Sequence, residues 1–255
     1  MLKKLLVLLL FTNWSAISAQ NKYDLPQLWN ESKTFLEQPA RWNGIDWLKL
    51  GVISASTFLI SQSDQFFRDA ILKDQSFTNS VPEQIGRFWG RGYANLLVAG
   101  AFGLHGIIEG NNTSKKLGFE IVQAAIYSGA VTQFLKLALG RARPYTNEGK
   151  SSFHPFYFFK DGYKSFPSGD VTLAFSLSTV LSKNINNDVL KILVYVPALI
   201  TMASRMYRDM HWASDVFFGA VVGYAVSSWV VDLHDESKVA NQTAVISPLT
   251  ISIKL

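Results

Sequence analysis

The 255-residue sequence contains no cysteine. A chain without thiols forms no disulfide and offers no thiolate ligand to a metal ion. Charged residues are also scarce, at 17%, against about a quarter in an average soluble protein. No run of basic residues is interleaved with aromatic ones, which argues against a nucleic-acid-binding protein. The sequence also lacks internal repeats and low-complexity segments, so its organisation must be found in its apolar segments.

Hydrophobic residues make up 48% of the chain and are concentrated in six segments without charged residues. Their length and composition predict helices rather than strands. All are shorter than the roughly 20 residues of a membrane span, but charged side chains at their ends can reach the interface or a buried polar site. The sequence therefore predicts an all-α fold, a bundle of about six core helices embedded in a membrane. A water-soluble bundle with buried central helices is the alternative. The six segments are residues 50–63, 92–108, 121–135, 171–182, 192–204 and 216–231.

The N-terminus has the pattern of a bacterial secretory signal. Lys3 and Lys4 precede an apolar stretch over residues 5–11, and Ser18 and Ala19 form a small-residue cleavage site. We therefore predict a signal peptide over residues 1–19, with an uncleaved anchor as the alternative. The remaining chain is predicted to divide into a polar lead-in of short helices (20–46), a helical domain (47–233) and a C-terminal tail (234–255).

Two clusters of residues suited to holding a phosphate lie at the ends of apolar segments. Lys136 and Arg143 are seven residues apart, which places them on one face if the helix continues that far. Ser168, Gly169 and Asp170 follow a proline and open the next apolar run, as a helix N-terminus does. Free backbone N–H groups and the positive end of the helix dipole form an anion site at such a position.

A third cluster follows the fifth apolar segment. Arg205 ends that segment, and His211 and Asp215 come four residues apart shortly after it. On a helix this spacing lets the carboxylate hold one imidazole nitrogen and leaves the other nitrogen free to attack. The three clusters together predict a site that binds and attacks a phosphate.

These motifs carry a resemblance to a known family. Lys136 is followed by six residues and Arg143-Pro144, then by Pro167-Ser168-Gly169, and then by Arg205, His211 and Asp215 at fixed spacing. The pattern resembles the type 2 phosphatidic acid phosphatase family, whose fold and site are shared with vanadium-dependent haloperoxidases and bacterial acid phosphatases. The resemblance covers residues from about 90 to 233. It has one departure, because the family has His where this chain has Asp170.

The resemblance implies a metal-independent hydrolysis of lipid phosphates or diphosphates. His211 would be the nucleophile that forms a phosphohistidine, and Asp215 would orient it. No cofactor is implied, and the sequence shows no cluster of carboxylates that would hold a metal. Substrates of this class include phosphatidate, polyprenyl diphosphate and lipid A. The residues expected to bind the phosphate are Lys136, Arg143, Ser168, Gly169 and Arg205.

Asp170 is the position at which this expectation weakens. The family His protonates the leaving group, whereas a carboxylate held by cations is a poor acid at neutral pH. Asp170 is therefore expected to form a structural ion pair, with the enzyme slower or working on esters that leave easily. The alternatives to a lipid phosphatase are a vanadate-dependent haloperoxidase-like enzyme, a soluble non-specific acid phosphatase and a catalytically weak lipid- or phosphate-binding membrane protein.

The expected location is the bacterial cell envelope, in the inner membrane with the site facing the periplasm. The expected partners are membrane lipids and a phosphorylated lipid substrate. A cleaved signal and six spans would place Lys136 and Arg143 in the cytoplasm, so we expect residues 50–63 not to span the membrane. The aromatic and basic loop over residues 145–166 is expected to lie near the lipid headgroups, or else to pack on the bundle.

Overall fold

A computed structural model of the protein describes residues 21–157 and 159–235. The predicted signal peptide and all but the first two residues of the predicted tail lie outside this part. Within it the chain is helical, with an isolated bridge between Arg141 and Phe153 and no β-strand. The helices are α1 (Leu25–Arg41), α2 (Gly44–Gln62), α3 (Asp64–Lys73), α4 (Val81–Trp89), α5 (Gly92–Ile108), α6 (Asn112–Leu139), α7 (Gly169–Asn184), α8 (Asp188–Leu193), α9 (Val196–Tyr207) and α10 (Ala213–Leu233).

The predicted all-α fold is confirmed. The six apolar segments coincide with α2, α5, α6, α7, α8 with α9, and α10. The fifth segment is interrupted between α8 and α9, where Val194 and Tyr195 leave the regular helix and Pro197 opens α9. Proline is favoured in the first turn of a helix because the N–H that it lacks would have no partner there.

Helix α6 lies at the centre of the bundle and packs against α5, α7 and α10. Its Ile121 and Ala124 are fully buried and join Leu177 of α7 and Val230 of α10 in one apolar cluster. Helices α7 and α10 approach each other so closely that a β-carbon on Gly223 would lie 2.3 Å from the backbone oxygen of Thr172. The absence of a side chain at this glycine sets the distance between the two helices whose first turns contribute to the candidate site.

The predicted lead-in forms one long helix, α1, which packs against the bundle. Phe35 stacks on Tyr127 of α6 with ring centroids 4.5 Å apart. The Ser32 hydroxyl lies 2.9 Å from the Tyr127 hydroxyl. The amphipathic face of α1 therefore covers part of α6.

His234, directly after α10, is buried between two carboxylates. Its Nε2 lies 3.1 Å from Glu31 Oε2 of α1 and its Nδ1 3.3 Å from Glu120 Oε1 of α6. Burial alone would lower the pKa of His234, but hydrogen bonds to Glu120 and Glu31 outweigh it, so the pKa is raised. This cluster joins the first, central and last helices at the end of the bundle where α6 begins and α10 ends.

Large apolar side chains remain exposed on several helices. On α5, Leu96 is 67% exposed and Ile108 is 75% exposed, and on α2 Phe58 and Leu59 are similarly open. Two stretches, Asp188–Tyr207 and Ala213–Leu233, are long and apolar enough to cross a membrane by length and composition.

Candidate active site

The three sequence clusters meet at the end of the bundle where α6 and α9 finish and α7 and α10 begin. A β-carbon on Gly169 would lie 3.7 Å from the Cε atom of Lys136. The Ser168 N–H donates to the Asp215 backbone oxygen at 3.0 Å. Residues from the first, second and third clusters are thus neighbours in space.

Helix α6 ends at Leu139, so the condition under which Lys136 and Arg143 would share a helix face is not met. Gly140 follows the last helical residue with φ 59°, and a β-carbon there would lie 1.8 Å from the backbone oxygen of His154. Only glycine tolerates this left-handed conformation and close approach. Arg143 lies beyond it in extended backbone, anchored by its N–H to the Gly162 oxygen at 2.7 Å.

The first cluster supplies two cations. Lys136 is buried and its Nζ donates to the Lys164 carbonyl. Burial lowers the pKa of Lys136 to about 8, and the nearby charge of Arg143 adds to this effect. The Arg143 guanidinium contacts Asp161 Oδ1 at 3.1 Å on one side and Met210 Sδ at 3.2 Å on the other. A thioether is a weak acceptor, so that edge of the guanidinium can exchange it for a phosphate oxygen.

The second cluster forms the N-terminus of α7, as predicted. Ser168 is the N-cap residue, but its side chain makes no capping hydrogen bond. Its hydroxyl is buried and has no partner among the described residues. The first N–H groups of a helix also lack intrahelical acceptors. The Ser168 hydroxyl and the Gly169 amide are therefore available as donors to an anion.

Asp170 forms an ion pair with a residue expected to bind phosphate. Its Oδ2 accepts a hydrogen bond from Arg205 Nη1 at 2.6 Å. Arg205 is buried and also donates to the Ser204 hydroxyl at 3.0 Å, and that hydroxyl donates to Glu83 at 2.7 Å. This contact corresponds to the structural ion pair expected for Asp170.

His211 lies outside α10, so the prediction that it shares a helix with Asp215 is wrong. The helix begins at Ala213 with Trp212 as its N-cap, and Asp215 accepts a capping hydrogen bond from the Trp212 N–H at 2.9 Å. An aspartate in this third helical position is favoured for capping, and it shortens the helix by excluding His211. His211 Nδ1 is 3.8 Å from Asp215 Oδ2 but only 2.7 Å from the Ser165 backbone oxygen.

The Ser165 carbonyl determines the chemistry available to the imidazole. A carbonyl oxygen only accepts, so Nδ1 carries the hydrogen and Nε2 keeps its lone pair. Burial lowers the pKa of His211 to about 4, with Asp215 opposing the shift and Lys136 adding to it. The imidazole is therefore neutral at physiological pH, which is the state required of a nitrogen nucleophile.

Three residues around Asp215 were missed by the sequence analysis. Arg141 Nη1 donates to Asp215 Oδ1 at 2.5 Å, and its Nη2 donates to Asp64 Oδ2 at 2.8 Å. The Ser165 hydroxyl donates to Asp215 Oδ2 at 2.5 Å. Arg141 could have been noticed because it lies two residues before Arg143 in the first motif. Asp64 and Ser165 have no sequence signal, since their contacts arise only when distant elements pack together.

The part of the chain that the structure describes contains no group of three or more His, Cys, Asp or Glu residues arranged to hold a metal ion.

Comparison with known proteins finds a matching family and two similar curated proteins. Residues 118–238 match the model of the PAP2 superfamily. The chain is 33% identical over 135 residues to probable lipid phosphate phosphatase 4 of Arabidopsis thaliana, a match covering 42% of this chain and 44% of that protein. It is 35% identical over 92 residues to the lipid A 1-phosphatase of Porphyromonas gingivalis, covering 34% of this chain and 21% of that protein. The chain therefore matches less than half the length of these curated relatives.

Among solved structures, the crystal structure of Aquifex aeolicus LpxE is similar at 22% identity and a TM-score of 0.45, covering 59% of this chain and 83% of that one.

Proposed function

Because residues 118–238 match the model of the PAP2 superfamily, we propose that the chain is a member of that superfamily and a phosphatase acting on lipid phosphates or diphosphates. The observation that carries the proposal is the hydrogen bond that fixes the tautomer of His211. Its Nδ1 is fixed by the Ser165 carbonyl at 2.7 Å, and its Nε2 is left as the nucleophilic nitrogen. The two relatives described above are both named as phosphatases of lipids.

In the proposed reaction, the phosphate of the substrate enters beside Lys136, Arg143 and the N-terminus of α7. Cations and N–H donors neutralise the charge on its nonbridging oxygens. His211 Nε2 attacks phosphorus, the bond to the leaving oxygen breaks, and a phosphohistidine forms. A water oxygen then attacks phosphorus, the phosphorus–nitrogen bond breaks, and inorganic phosphate leaves with Nε2 again unprotonated. This sequence needs no metal, because side chains supply the positive charge.

Asp215 supports the first step of this sequence. Phosphorylation at Nε2 with a proton on Nδ1 makes the ring cationic, and a carboxylate 3.8 Å from Nδ1 stabilises that charge. Its position is held by four donors: Arg141, the Ser165 hydroxyl, the Trp212 N–H and, through its backbone oxygen, the Ser168 N–H.

We propose that the protein is embedded in a membrane, with the site at the periplasmic face of the inner membrane. The exposed apolar side chains of α2 and α5 and the two long apolar stretches support this location. The loop near the site exposes Phe153, Phe156 and Tyr157 together with Lys160. Aromatic rings and lysines favour the lipid–water interface. A bacterial signal peptide over residues 1–19 belongs to the same proposal.

A second candidate is a phosphate-binding protein with weak hydrolysis. The ion pair between Asp170 and Arg205 favours it, because this pair removes one cation and the usual proton donor from the site.

Phosphate release by detergent-purified protein tests these proposals. The substrates are phosphatidate, a polyprenyl diphosphate and lipid A, each in the presence of a metal chelator, with His211→Ala as the blank. Release that survives the chelator and vanishes in the variant supports the phosphatase. Binding of inorganic phosphate without turnover would favour the second candidate, and halide oxidation on addition of vanadate and peroxide would contradict both.

A further inference from the structure

Asp64, the first residue of α3, lies outside every motif and outside the family match, yet its carboxylate is buried next to the candidate site. It is only 1% exposed. Its Oδ1 accepts from the Ser214 N–H at 2.9 Å, and its Oδ2 accepts from the Ser214 hydroxyl at 2.6 Å and from Arg141 at 2.8 Å. A buried carboxylate is retained only when donors compensate for its lost hydration, and all three donors here belong to the surroundings of Asp215.

Arg141 connects Asp64 to the candidate active site. One guanidinium nitrogen donates to Asp64 and the other to Asp215. The guanidinium also lies over the Trp212 ring, 5.7 Å from its centroid, and is 3% exposed. A planar, permanently charged guanidinium can hold two carboxylates in fixed positions at once. The three side chains thus form a buried row with a net charge of −1.

The net charge of this row determines how strongly a positive charge that develops on the His211 ring is stabilised. Without Asp64, the charge of Arg141 would be balanced by Asp215 alone, and the row would be neutral. The carboxylate next to the imidazole would then stabilise a developing imidazolium far less. Arg141 would also lose one of the two acceptors of its Nη2 and would keep the other, the Lys150 carbonyl at 2.8 Å.

We propose that Asp64 is a positioning residue for the reaction, which acts on His211 through Arg141 and Asp215. This inference rests on the proposed phosphatase function. It predicts that Asp64 affects the formation of the phosphohistidine and not the binding of phosphate, because Asp64 contacts none of the phosphate-binding residues.

A simpler role for Asp64 would be to dock α3 on the bundle, and the chain offers a matched control for that role. Arg68 of the same helix donates to both carboxylate oxygens of Asp209, each at 2.7 Å. Asp209→Asn makes the same chemical change as Asp64→Asn and weakens this second attachment of α3 by removing its charge and one of its two acceptors. Asn also tolerates the left-handed backbone of Asp209, φ 54°.

The experiment compares kcat and KM of wild type, Asp64→Asn and Asp209→Asn on one lipid phosphate. Active sites are counted from the stoichiometry of bound inorganic phosphate, and the melting temperature in detergent reports folding. We expect Asp64→Asn to lower kcat by on the order of 10- to 100-fold, as misplacement of a reacting group does. Its KM and its affinity for inorganic phosphate should change less than about threefold. Asp209→Asn should keep kcat within about threefold.

If Asp64→Asn does not fold, Arg141→Lys replaces it. A lysine keeps the charge but cannot reach both carboxylates, so the same loss of kcat at constant KM is expected. Unchanged kcat in a folded variant would overturn the inference, as would an equal loss of kcat in Asp209→Asn. A wild-type protein that releases no phosphate would overturn the proposed function and this inference together, whereas an active wild type with an equally active Asp64→Asn overturns only the inference.

Discussion

Replacing Asp170 by histidine is expected to change which phosphate esters the protein hydrolyses. In the structure Asp170 Oδ2 lies 2.6 Å from Arg205 Nη1, so one of the three cations assigned to phosphate binding is already paired with a carboxylate. Asp170→His removes that carboxylate and introduces a group that can carry a proton near neutral pH. The first change frees Arg205, and the second provides an acid for the leaving oxygen.

Freeing Arg205 and supplying an acid are expected to affect the turnover of different substrates by different factors. A hydrogen bond to a charged group contributes about 1.5–3 kcal/mol. An Arg205 freed to bind the substrate is therefore expected to raise kcat/KM roughly 10- to 100-fold for any phosphate substrate. General acid catalysis is worth on the order of 10²- to 10⁴-fold when its geometry is ideal. Only a phosphomonoester, which expels a strongly basic alkoxide, needs that acid. The leaving phosphate of a diphosphate is a weak base and departs without it.

The assay measures kcat/KM for a lipid monophosphate and the matching lipid diphosphate across pH 5–8. The wild type is expected to favour the diphosphate near pH 7.5, or else to work best at acidic pH. Asp170→His is expected to raise monophosphate turnover at least about tenfold more than diphosphate turnover. Asp170→Asn is the matched control, because it frees Arg205 without supplying an acid and so acts equally on both substrates. Equal effects of histidine on the two substrates, or a monophosphate preference of the wild type at pH 7.5, would refute the reasoning.

Three further predictions concern the nucleophile, the sidedness and the buried histidine. His211→Ala is expected to abolish turnover while the melting temperature stays within a few degrees, and appreciable activity in this variant would contradict the phosphohistidine route. Since the chain has no cysteine, a single cysteine at Ser151 is expected to react with an impermeant thiol reagent added to spheroplasts, and one at Asn187 is not; the reverse pattern would place the site in the cytoplasm. The raised pKa of His234 means that its stabilisation is full below its unfolded value of about 6.5 and is lost as pH rises through the folded value. The melting temperature should therefore fall as pH rises above 6.5, and His234→Gln should flatten that dependence; an unchanged slope would contradict the role of this cluster.

The helices and the location of the site could be predicted from the sequence, because both depend on local patterns. Uncharged apolar segments marked the bundle, and Pro167-Ser168-Gly169 marked the start of α7. The errors arose at two helix ends. The left-handed Gly140 stops α6 because the chain near His154 returns against it, and Asp215 caps α10 after His211. A glycine after the last helical residue and an aspartate in the third helical position are both local signals of a helix end, and the sequence analysis did not use them.

The buried polar partners could not be predicted from local patterns. Arg141 joins Asp64 to Asp215 across separations of 77 and 74 residues. The pairing of His234 with Glu31 spans 203 residues. Each of these residues alone looks like an ordinary charged residue of a surface helix or turn, and only the packing of the bundle brings the partners together.

The hydrogen bond from His211 to the Ser165 carbonyl has a consequence for how this site tolerates genetic change. A main-chain oxygen is present whatever residue occupies position 165, so no single substitution deletes the acceptor that sets the imidazole tautomer. Ser165→Ala would remove a donor to Asp215 and leave that acceptor in place. A substitution at position 165 therefore leaves the hydrogen bond that orients the imidazole in place. The length of the segment between Pro144 and Ser168 matters more, because one inserted or deleted residue would move this carbonyl away from Nδ1.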